Sequence, residues 1–457
     1  MNIPASLKQI VSRVVAAGGR ALLVGGAVRD FISTGAAPKD FDVEIHGLSA
    51  DTVKALLSDF GDVKAVGESF GVLKLTDVDR NEFDFSLPRR ESKQGKGHKG
   101  FIVELDESMT PKEAAARRDF TINSMMFDLA TGELDDPFNG RQDLAAGILR
   151  HTSEAFADDP LRPLRAMQFA GRFGFTVAPE TCELAKTLVQ EFHTLSVERV
   201  WGEWHKWATK SRFPSKGIQA LVDMGWDVLF PEIAVLKGLE QDEQWHPEGN
   251  VLNHTMHTVD AALEIADRDG LIGDERAVAL FGALCHDFGK DTTTSVNEEG
   301  RIISHGHDRA GVPIAEAFMT RIGAPNAFVV AVPVLVGEHM VHVSGNLCAK
   351  GVRRLADRID GKTTIEMLDR IIEADHCGRP PLPKAHPVPE LMQLARELAV
   401  ERSKPQPILM GRHLIGLGMK PGHEFGRLLK AAYELQLNGV LCSEHEALDW
   451  VRAQHLQ

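Results

Sequence analysis

The sequence predicts an α/β head followed by a mostly α-helical remainder. Three observations predict it. Short apolar runs interleave with helical patterns over the first third of the 457 residues. From about Glu154 the pattern changes, with Leu161, Leu164, Met167, Phe169 and Ala170 recurring at helical spacing while strand signals fade. The length suggests roughly three domains at about 150 residues each.

In order along the chain, residues 5–20 read as an amphipathic helix ending at Gly18-Gly19. Strand-like runs follow at 21–24, 41–45, 71–75 and 82–87, with a helical pattern at 50–59. Pro380-Pro381-Leu382-Pro383, continuing through Pro387 and Pro389, reads as a stiff linker. A last helical piece is broken by Lys404-Pro405-Gln406-Pro407.

Composition narrows the classes. The net charge of −14 argues against a uniformly basic nucleic-acid binder. Charge is local, however. Arg89, Arg90, Lys93, Lys96 and Lys99, with Gly95, Gly97 and Gly100, form a basic stretch that reads as a flexible solvated loop. Five scattered cysteines without a C-x-x-C pair favour reduced thiols packed in a cytoplasmic protein. No run of about 18 apolar residues stands out, so no membrane span is expected. The start, Met1-Asn2-Ile3-Pro4, lacks a basic-then-apolar signal.

The richest feature is Leu23-Val24-Gly25-Gly26-Ala27-Val28-Arg29-Asp30, a buried strand breaking into a glycine turn that opens a helix. Lys39-Asp40-Phe41-Asp42 follows, with two carboxylates at i and i+2, on one face of a strand. Such oxygens suit Mg²⁺. Two such ions about 4 Å apart activate an attacking hydroxyl and stabilise a leaving pyrophosphate. Arg29, one turn into the helix, is placed to reach a triphosphate.

These runs, with Arg117-Arg118-Asp119-Phe120-Thr121-Ile122-Asn123, Asp136-Pro137-Phe138-Asn139-Gly140, Leu149-Arg150-His151 and Asp158-Asp159-Pro160-Leu161-Arg162, resemble class II tRNA nucleotidyltransferases. That family of CCA-adding enzymes shares its head with bacterial poly(A) polymerases. The resemblance covers about residues 20–175. It implies a catalytic, Mg²⁺-binding role for Asp40 and Asp42, with Asp84 in Phe83-Asp84-Phe85 as a third carboxylate. It implies nucleotide contacts at Gly26, Arg29, Arg118 and Arg165, and base reading by Asp159 and Arg162. A carboxylate accepts from an exocyclic amine and a guanidinium donates to a ring nitrogen, which suits cytosine and adenine but not uracil or guanine. Two departures are visible: Asp158 stands for the usual Glu, and Gln168 for a second arginine. The basic stretch 89–100 lies where the family has a loop that helps switch from C to A addition. Val66-Gly67-Glu68-Ser69-Phe70-Gly71 resembles the CCA enzymes rather than the poly(A) enzymes.

A second constellation is His254, Cys285-His286-Asp287-Phe288-Gly289-Lys290, His305-Gly306-His307, His339 and Asp375. Its H…HD…D spacing resembles the HD phosphohydrolase superfamily over about residues 245–380. His254, His286, Asp287 and Asp375 are the expected ligands of a divalent metal of unspecified identity, which lowers the pKa of bound water. His305, His307 and His339 are candidates for a second site or a phosphate contact. His98, His246, His257, His386 and His413 are assigned to surface or packing. In the tail, Gly411-Arg412-His413-Leu414-Ile415 and Lys420-Pro421-Gly422 resemble runs that follow the HD domain in this family, with Pro-Gly read as an inter-helix turn.

The expected organisation is an α/β nucleotidyltransferase head at 1–150, a helical neck for base recognition and RNA binding at 151–240, an HD metal-dependent phosphohydrolase domain at 241–380, and a linker with helical tail at 381–457. The expected function is template-independent addition of CCA to tRNA 3′ ends from CTP and ATP, with phosphatase and 2′,3′-cyclic phosphodiesterase activity at the HD site. The expected partners are tRNA, CTP and ATP, with no membrane and no obligate protein partner. The alternatives are a poly(A) polymerase, a CC-only or A-only enzyme, or an HD hydrolase acting on RNA ends.

Overall fold

A computed structural model describes residues 3–38, 40–66, 71–93, 101–344 and 347–455. Lys39, the 67–70 part of the Val66–Gly71 run, and Lys96, Lys99 and His98 of the basic stretch lie outside the described residues. The chain divides into two units, Met1–Leu229 and Phe230–Gln457. The expected neck therefore falls mostly within the first unit.

The first unit is built on a mixed sheet. Helix α1 (Ala5–Ala16) buries Leu7, Ile10, Val11 and Val14, the i, i+3, i+4, i+7 stripe of an amphipathic helix. Strand β1 (Arg20–Val24) is apolar on both faces because both are covered. Ala21 and Leu23 join the main core, while Leu22 and Val24 meet Ala115 and Met126. Helix α2 (Gly26–Thr34) starts at Gly25, whose φ of 71° and ψ of −139° exclude residues with a Cβ. Strand β2 (Phe41–His46) sends Phe41, Val43 and Ile45 into the core and Asp42, Glu44 and His46 to the opposite face.

Helix α3 (Ala50–Ser58), capped by Ser49 accepting from Thr52 N, leads to β3 (Gly61–Val66), β4 (Val72–Asp77) and β5 (Glu82–Ser86). β6 (Arg89–Lys93) and β7 (Phe101–Leu105) form a separate antiparallel hairpin. The basic stretch thus begins as a strand and not as a loop, because its backbone pairs Arg89 with Leu105 and onward. After α4 (Pro111–Ala116) and α5 (Thr121–Ser124) come β8 (Met126–Asp128), β9 (Leu134–Asp135) and α6 (Gly140–Ala146). The seven-stranded order is β3-β4-β5-β2-β1-β8-β9. Only β2 and β5 in it are parallel, which sets Asp42 directly beside Asp84. The strands β3, β8 and β9 were not expected from the sequence.

Helix α7 (Arg162–Phe173) buries Leu164, Met167, Phe169 and Ala170 and packs against α9 (Val197–Lys210) and α10 (Pro214–Asp223), with α8 (Pro179–Thr187) between them in the chain. Trp204, Trp207 and Trp226 are fully buried here, the first two with rings 5.6 Å apart.

The second unit is helical. After the short α11 (Pro231–Ala234), α12 (Val251–Arg268) packs on α13 (Gly273–Cys285) and, far along the chain, on α18 (Ile365–Cys377). Between them lie α14 (Lys290–Thr293), α15 (His307–Arg321), α16 (Asn326–Glu338) and α17 (Ala349–Ile359). The 326–343 stretch has a mean hydropathy of 1.5 over 18 residues, a length and composition that pass for a membrane span despite the expectation of none. In the fold, α16 buries Phe328, Val332, Leu335 and Val336 against α13 and α15 and carries Pro333 within it, as a core helix does. The tail helices α19 (Glu390–Glu397), α20 (Gly411–Gly416), α21 (His423–Leu437) and α22 (Glu444–His455) follow. The last three surround Leu414, Phe425, Leu428 and Val451, and Tyr433 bonds Asp357 of α17 at 3.0 Å. Apart from two-residue pairings, no strands occur after β9 among the described residues.

One close approach positions the histidine cluster. A Cβ on Gly289 would lie 2.0 Å from His307 O and 2.5 Å from Gly311 N, both backbone atoms. Gly289→Ala is therefore expected to destabilise the protein by about 1–3 kcal/mol or more. Gly416→Ala, where a Cβ meets open space, is expected to be neutral or slightly stabilising. Denaturant unfolding of both variants checks this, and equal stability would contradict the packing argument.

Candidate functional site

In the first unit, Asp42 lies on β2 and Asp84 beside it on β5, with Lys74 Nζ of β4 3.2 Å from Asp84. Desolvation and the Asp84 charge push the Asp42 carboxyl above its usual value. Asp40 occupies the bend before β2 rather than the same strand, since pairing starts at Phe41 opposite Phe83. Carboxylate oxygens set side by side suit a hard cation, which would take the place of the Lys74 ammonium beside Asp84. On the same face as Asp42, Glu44 is buried, accepts from His46 at 2.9 Å and lies 3.3 Å from Arg118 Nη2.

Beside this edge is a cleft of about 480 Å³. Gly26, Arg29, Arg118, Asp159, Arg162 and Arg165 all line it. So do Arg172 and Arg199, making six arginines against Asp119 and Asp159. Among the described residues, Arg118 Nε and Arg199 Nη1 are buried without a hydrogen-bond partner. Such donors fit an anionic, acceptor-rich ligand.

Each arginine is held by its neighbours. Arg29 is buried, donates from Nη1 to Asn123 Oδ1 at 2.6 Å and stacks over Phe173 with 4.6 Å to the ring centre. Arg165 donates twice to Asp119 Oδ2, at 2.9 and 2.6 Å. Asp119 also accepts from Asn123 at 2.9 Å. Burial alone would raise the Asp119 carboxyl, but the Arg165 charge and these bonds hold it below its usual value.

The expected base-reading pair is not an ion pair. Asp159 is bonded to Arg199 at 2.8 Å, whereas Arg162 donates to the backbone oxygens of Ala155 and Arg117, each at 2.5 Å. Arg199 and Asp119 were missed as site residues, the first because it sits on α9, far along the chain. Gln168 is buried in α7 and does not line the cleft.

In the second unit, His254 on α12, His286 and Asp287 after α13, and Asp375 on α18 converge. His254 Nε2 lies 3.2 Å from His286 Nε2 and 3.0 Å from Asp375 Oδ1. Asp287 Oδ2 is 3.3 Å from His286 Nε2 and 2.7 Å from Lys290 Nζ. A second group shares Asp287: its Oδ1 is 3.3 Å from His307 Nε2, which is 3.1 Å from His339 Nε2. His307 and His339 therefore join the cluster, whereas His305 is exposed outside it.

All four Nδ1 atoms face backbone oxygens, those of Gly378, Ala283, Ser304 and Val336. That makes each Nδ1 a donor and turns Nε2 inward, the orientation of metal-ligating histidines. Two such nitrogens facing each other at 3.1–3.2 Å fit a shared cation.

His246, expected at the surface or in packing, belongs here: it bonds Glu248 at 2.9 Å, and Glu248 reaches His254 Nδ1 at 2.7 Å. No sequence signal marked Glu248. Burial would lower His254, but its bonds to Asp375 and Glu248 raise it to about 9. Burial and the nearby His307 and His286 charges lower His339 to about 4. His386 bonds Asp369, His413 caps α20 and His257 is exposed, as expected of packing and surface residues.

The Poly A polymerase head domain family matches residues 21–150, the probable RNA and SrmB-binding site of polymerase A residues 174–236, and the HD domain residues 251–374. A multifunctional CCA protein of Aliivibrio salmonicida is 36% identical over 369 residues, covering 78% of this chain and 85% of that one. The chain belongs to the multifunctional CCA protein family. Another multifunctional CCA protein, from Vibrio campbellii, is 35% identical over 389 residues, covering 82% of this chain and 90% of that one. The fold agrees with solved CCA-adding enzymes. One in complex with CTP aligns at a TM-score of 0.64 and 20% identity, covering 100% of this chain and 97% of the other. The Thermotoga maritima enzyme complexed with tRNA aligns at 0.61 and 18%, covering 99% and 96%.

In this member of the family, the Asp119–Arg165 pair makes a pH-dependent contribution to stability. A depressed carboxyl stabilises fully above its unfolded value near pH 4 and loses that contribution as pH falls through the folded value. Asp119→Asn is expected to cost about 1–3 kcal/mol at neutral pH. The gap to wild type should narrow as pH falls from about 5 toward 3. Denaturant unfolding across that range measures it, and a gap independent of pH would contradict the assignment.

Proposed function

We propose that this chain adds C, C and A to tRNA 3′ ends from CTP and ATP without a nucleic-acid template. We further propose that its HD site hydrolyses phosphoesters, as a phosphatase and 2′,3′-cyclic phosphodiesterase. The observation that carries the first reading is the convergence of Gly26, Arg29, Arg118, Asp159, Arg162 and Arg165 on one cleft. Family membership and the CTP, ATP and tRNA complexes of structurally similar enzymes support it.

In this reading the tRNA 3′-hydroxyl attacks the α-phosphate of the nucleotide and pyrophosphate leaves. Arg29 and Arg118 hold the triphosphate, and Asp40, Asp42 and Asp84 would hold Mg²⁺. When bound, the ion would supply charge neutralisation and an activated hydroxyl. Asp159 accepts from the amine of cytosine or adenine and Arg162 donates to the ring nitrogen, with Arg199 orienting Asp159. At the HD site, His254, His286, Asp287 and Asp375 would hold a divalent ion, which would lower the pKa of water. Its identity is left open by a mixed nitrogen and oxygen donor set. The work is divided among head, neck, HD domain and tail near residues 150, 240 and 380, in a cytoplasmic setting.

The decisive assay offers the full chain Mg²⁺ and tRNA transcripts ending before CCA, after C and after CC, with CTP, ATP or both. Ordered addition that stops after A is expected. Only C, only A, or an unbounded A tail would replace the reading with a CC-adding, A-adding or poly(A) enzyme. Asp42→Ala should lower addition by about 10³-fold or more and spare hydrolysis of a 2′,3′-cyclic phosphate. Asp287→Ala should do the reverse. Loss of both activities in one folded variant would refute two separate sites. Arg199→Ala should reduce discrimination of CTP over UTP by about 10-fold while leaving the protein folded. Unchanged discrimination would remove Arg199 from base selection.

A further inference from the structure

The cleft over the HD cluster holds about 520 Å³, within the range of small-molecule pockets of about 300–1,000 Å³. Asp287, Lys290, His307 and Asp375 contribute to it, and Trp245 lines it as well. Trp245 is 57% exposed. Trp204, Trp207 and Trp226 are fully buried, whereas Trp245 and Phe213 are the exposed large aromatic side chains among the described residues, and of the two only Trp245 lines this cleft. Leaving an indole in water is unfavourable, and core packing does not account for it.

The segment bearing Trp245 is fixed to the cluster by polar bonds. Gln241 accepts from Lys290 Nζ at 2.7 Å and donates to Gly249 O at 3.0 Å. Trp245 N donates to Asp242 O at 3.1 Å, closing a turn. The next residue, His246, bonds Glu248, which bonds His254. The segment that carries Trp245 is thereby tied to Lys290 on one side and, through His246 and Glu248, to His254 on the other. Arg379 lines this cleft too, a second cation besides Lys290. The cleft thus offers cations for a phosphoryl group, and Trp245 offers an apolar plane. A bare phosphate fills neither the volume nor that plane.

We propose that Trp245 is a specificity-determining residue of the HD site, stacking on the base of a nucleotide whose phosphate lies on the Lys290 and Arg379 side. Stacking tolerates any base because every base has a π-face. The inference rests on the proposed hydrolase reading of this site.

The test uses the metal-free full chain and guanosine 3′-monophosphate, whose base the head cleft is not built to select. Trp245→Ala should weaken binding of this nucleotide by about 10-fold in calorimetry and leave inorganic phosphate binding unchanged. Trp245→Phe should retain binding but lose the quenching of tryptophan emission that the nucleotide is expected to cause in wild type. Equal binding by wild type and Trp245→Ala, or equal weakening toward phosphate, overturns the proposal. With metal supplied, Trp245→Ala should raise KM for a 2′,3′-cyclic nucleotide and not for bis(p-nitrophenyl) phosphate. Failure of the wild type to hydrolyse either ester would instead overturn the hydrolase reading, whatever the nucleotide binding shows.

Discussion

The buried carboxylate of Asp119 organises the nucleotide cleft. One oxygen takes the Arg165 guanidinium from α7, and the other accepts from Asn123 and from the Phe120 amide. Asn123 in turn accepts from Arg29 at the start of α2. Three elements, the glycine-turn helix, the Arg117–Asn123 segment and the first neck helix, are thus tied through one side chain. Four of the cleft arginines sit within or beside this network. Crowded guanidinium groups repel one another, and a central anion is what lets them share a cleft.

The histidine cluster follows a related logic with different donors. Backbone carbonyls at helix ends, where no intrahelical donor remains, take the Nδ1 protons. The chain's own geometry therefore sets which nitrogen faces inward. Asp287 stands between the two histidine groups and answers to both, with Lys290 balancing its charge. Glu248 on the outer side of His254 keeps that ring basic.

Much of this was legible in the chain. The glycine turn, the D-x-D run and the H…HD…D spacing are short-range patterns with narrow chemical uses. The alternation in β2 and the stripe of α1 follow from periodicity alone. Other features were not legible. Strand β3 carries Gly61, Asp62 and Lys64 and lacks an apolar run, since it is the edge of the sheet. Arg89–Lys93 reads as a solvated loop because its pairing with β7 is a backbone matter that charge does not announce. His305 stands among the candidates and His246 among the surface or packing histidines, yet only His246 is carried into the cluster, because burial and partners depend on the fold.

By itself, the sequence determined the kinds of chemistry available: carboxylates for a hard cation, guanidinium groups for phosphate, and imidazoles with carboxylates for a second metal. It determined the α/β-then-helical order as well, because both periodicities are local. Only the tertiary structure decided the partners. Asp42 meets Asp84 because β2 and β5 run parallel in one register, and Asp159 meets Arg199 because α7 and α9 pack together. His254 meets Asp375 because α12 lies against α18. Such pairings depend on packing between segments distant in the chain, and no local pattern encodes which side chain will face which.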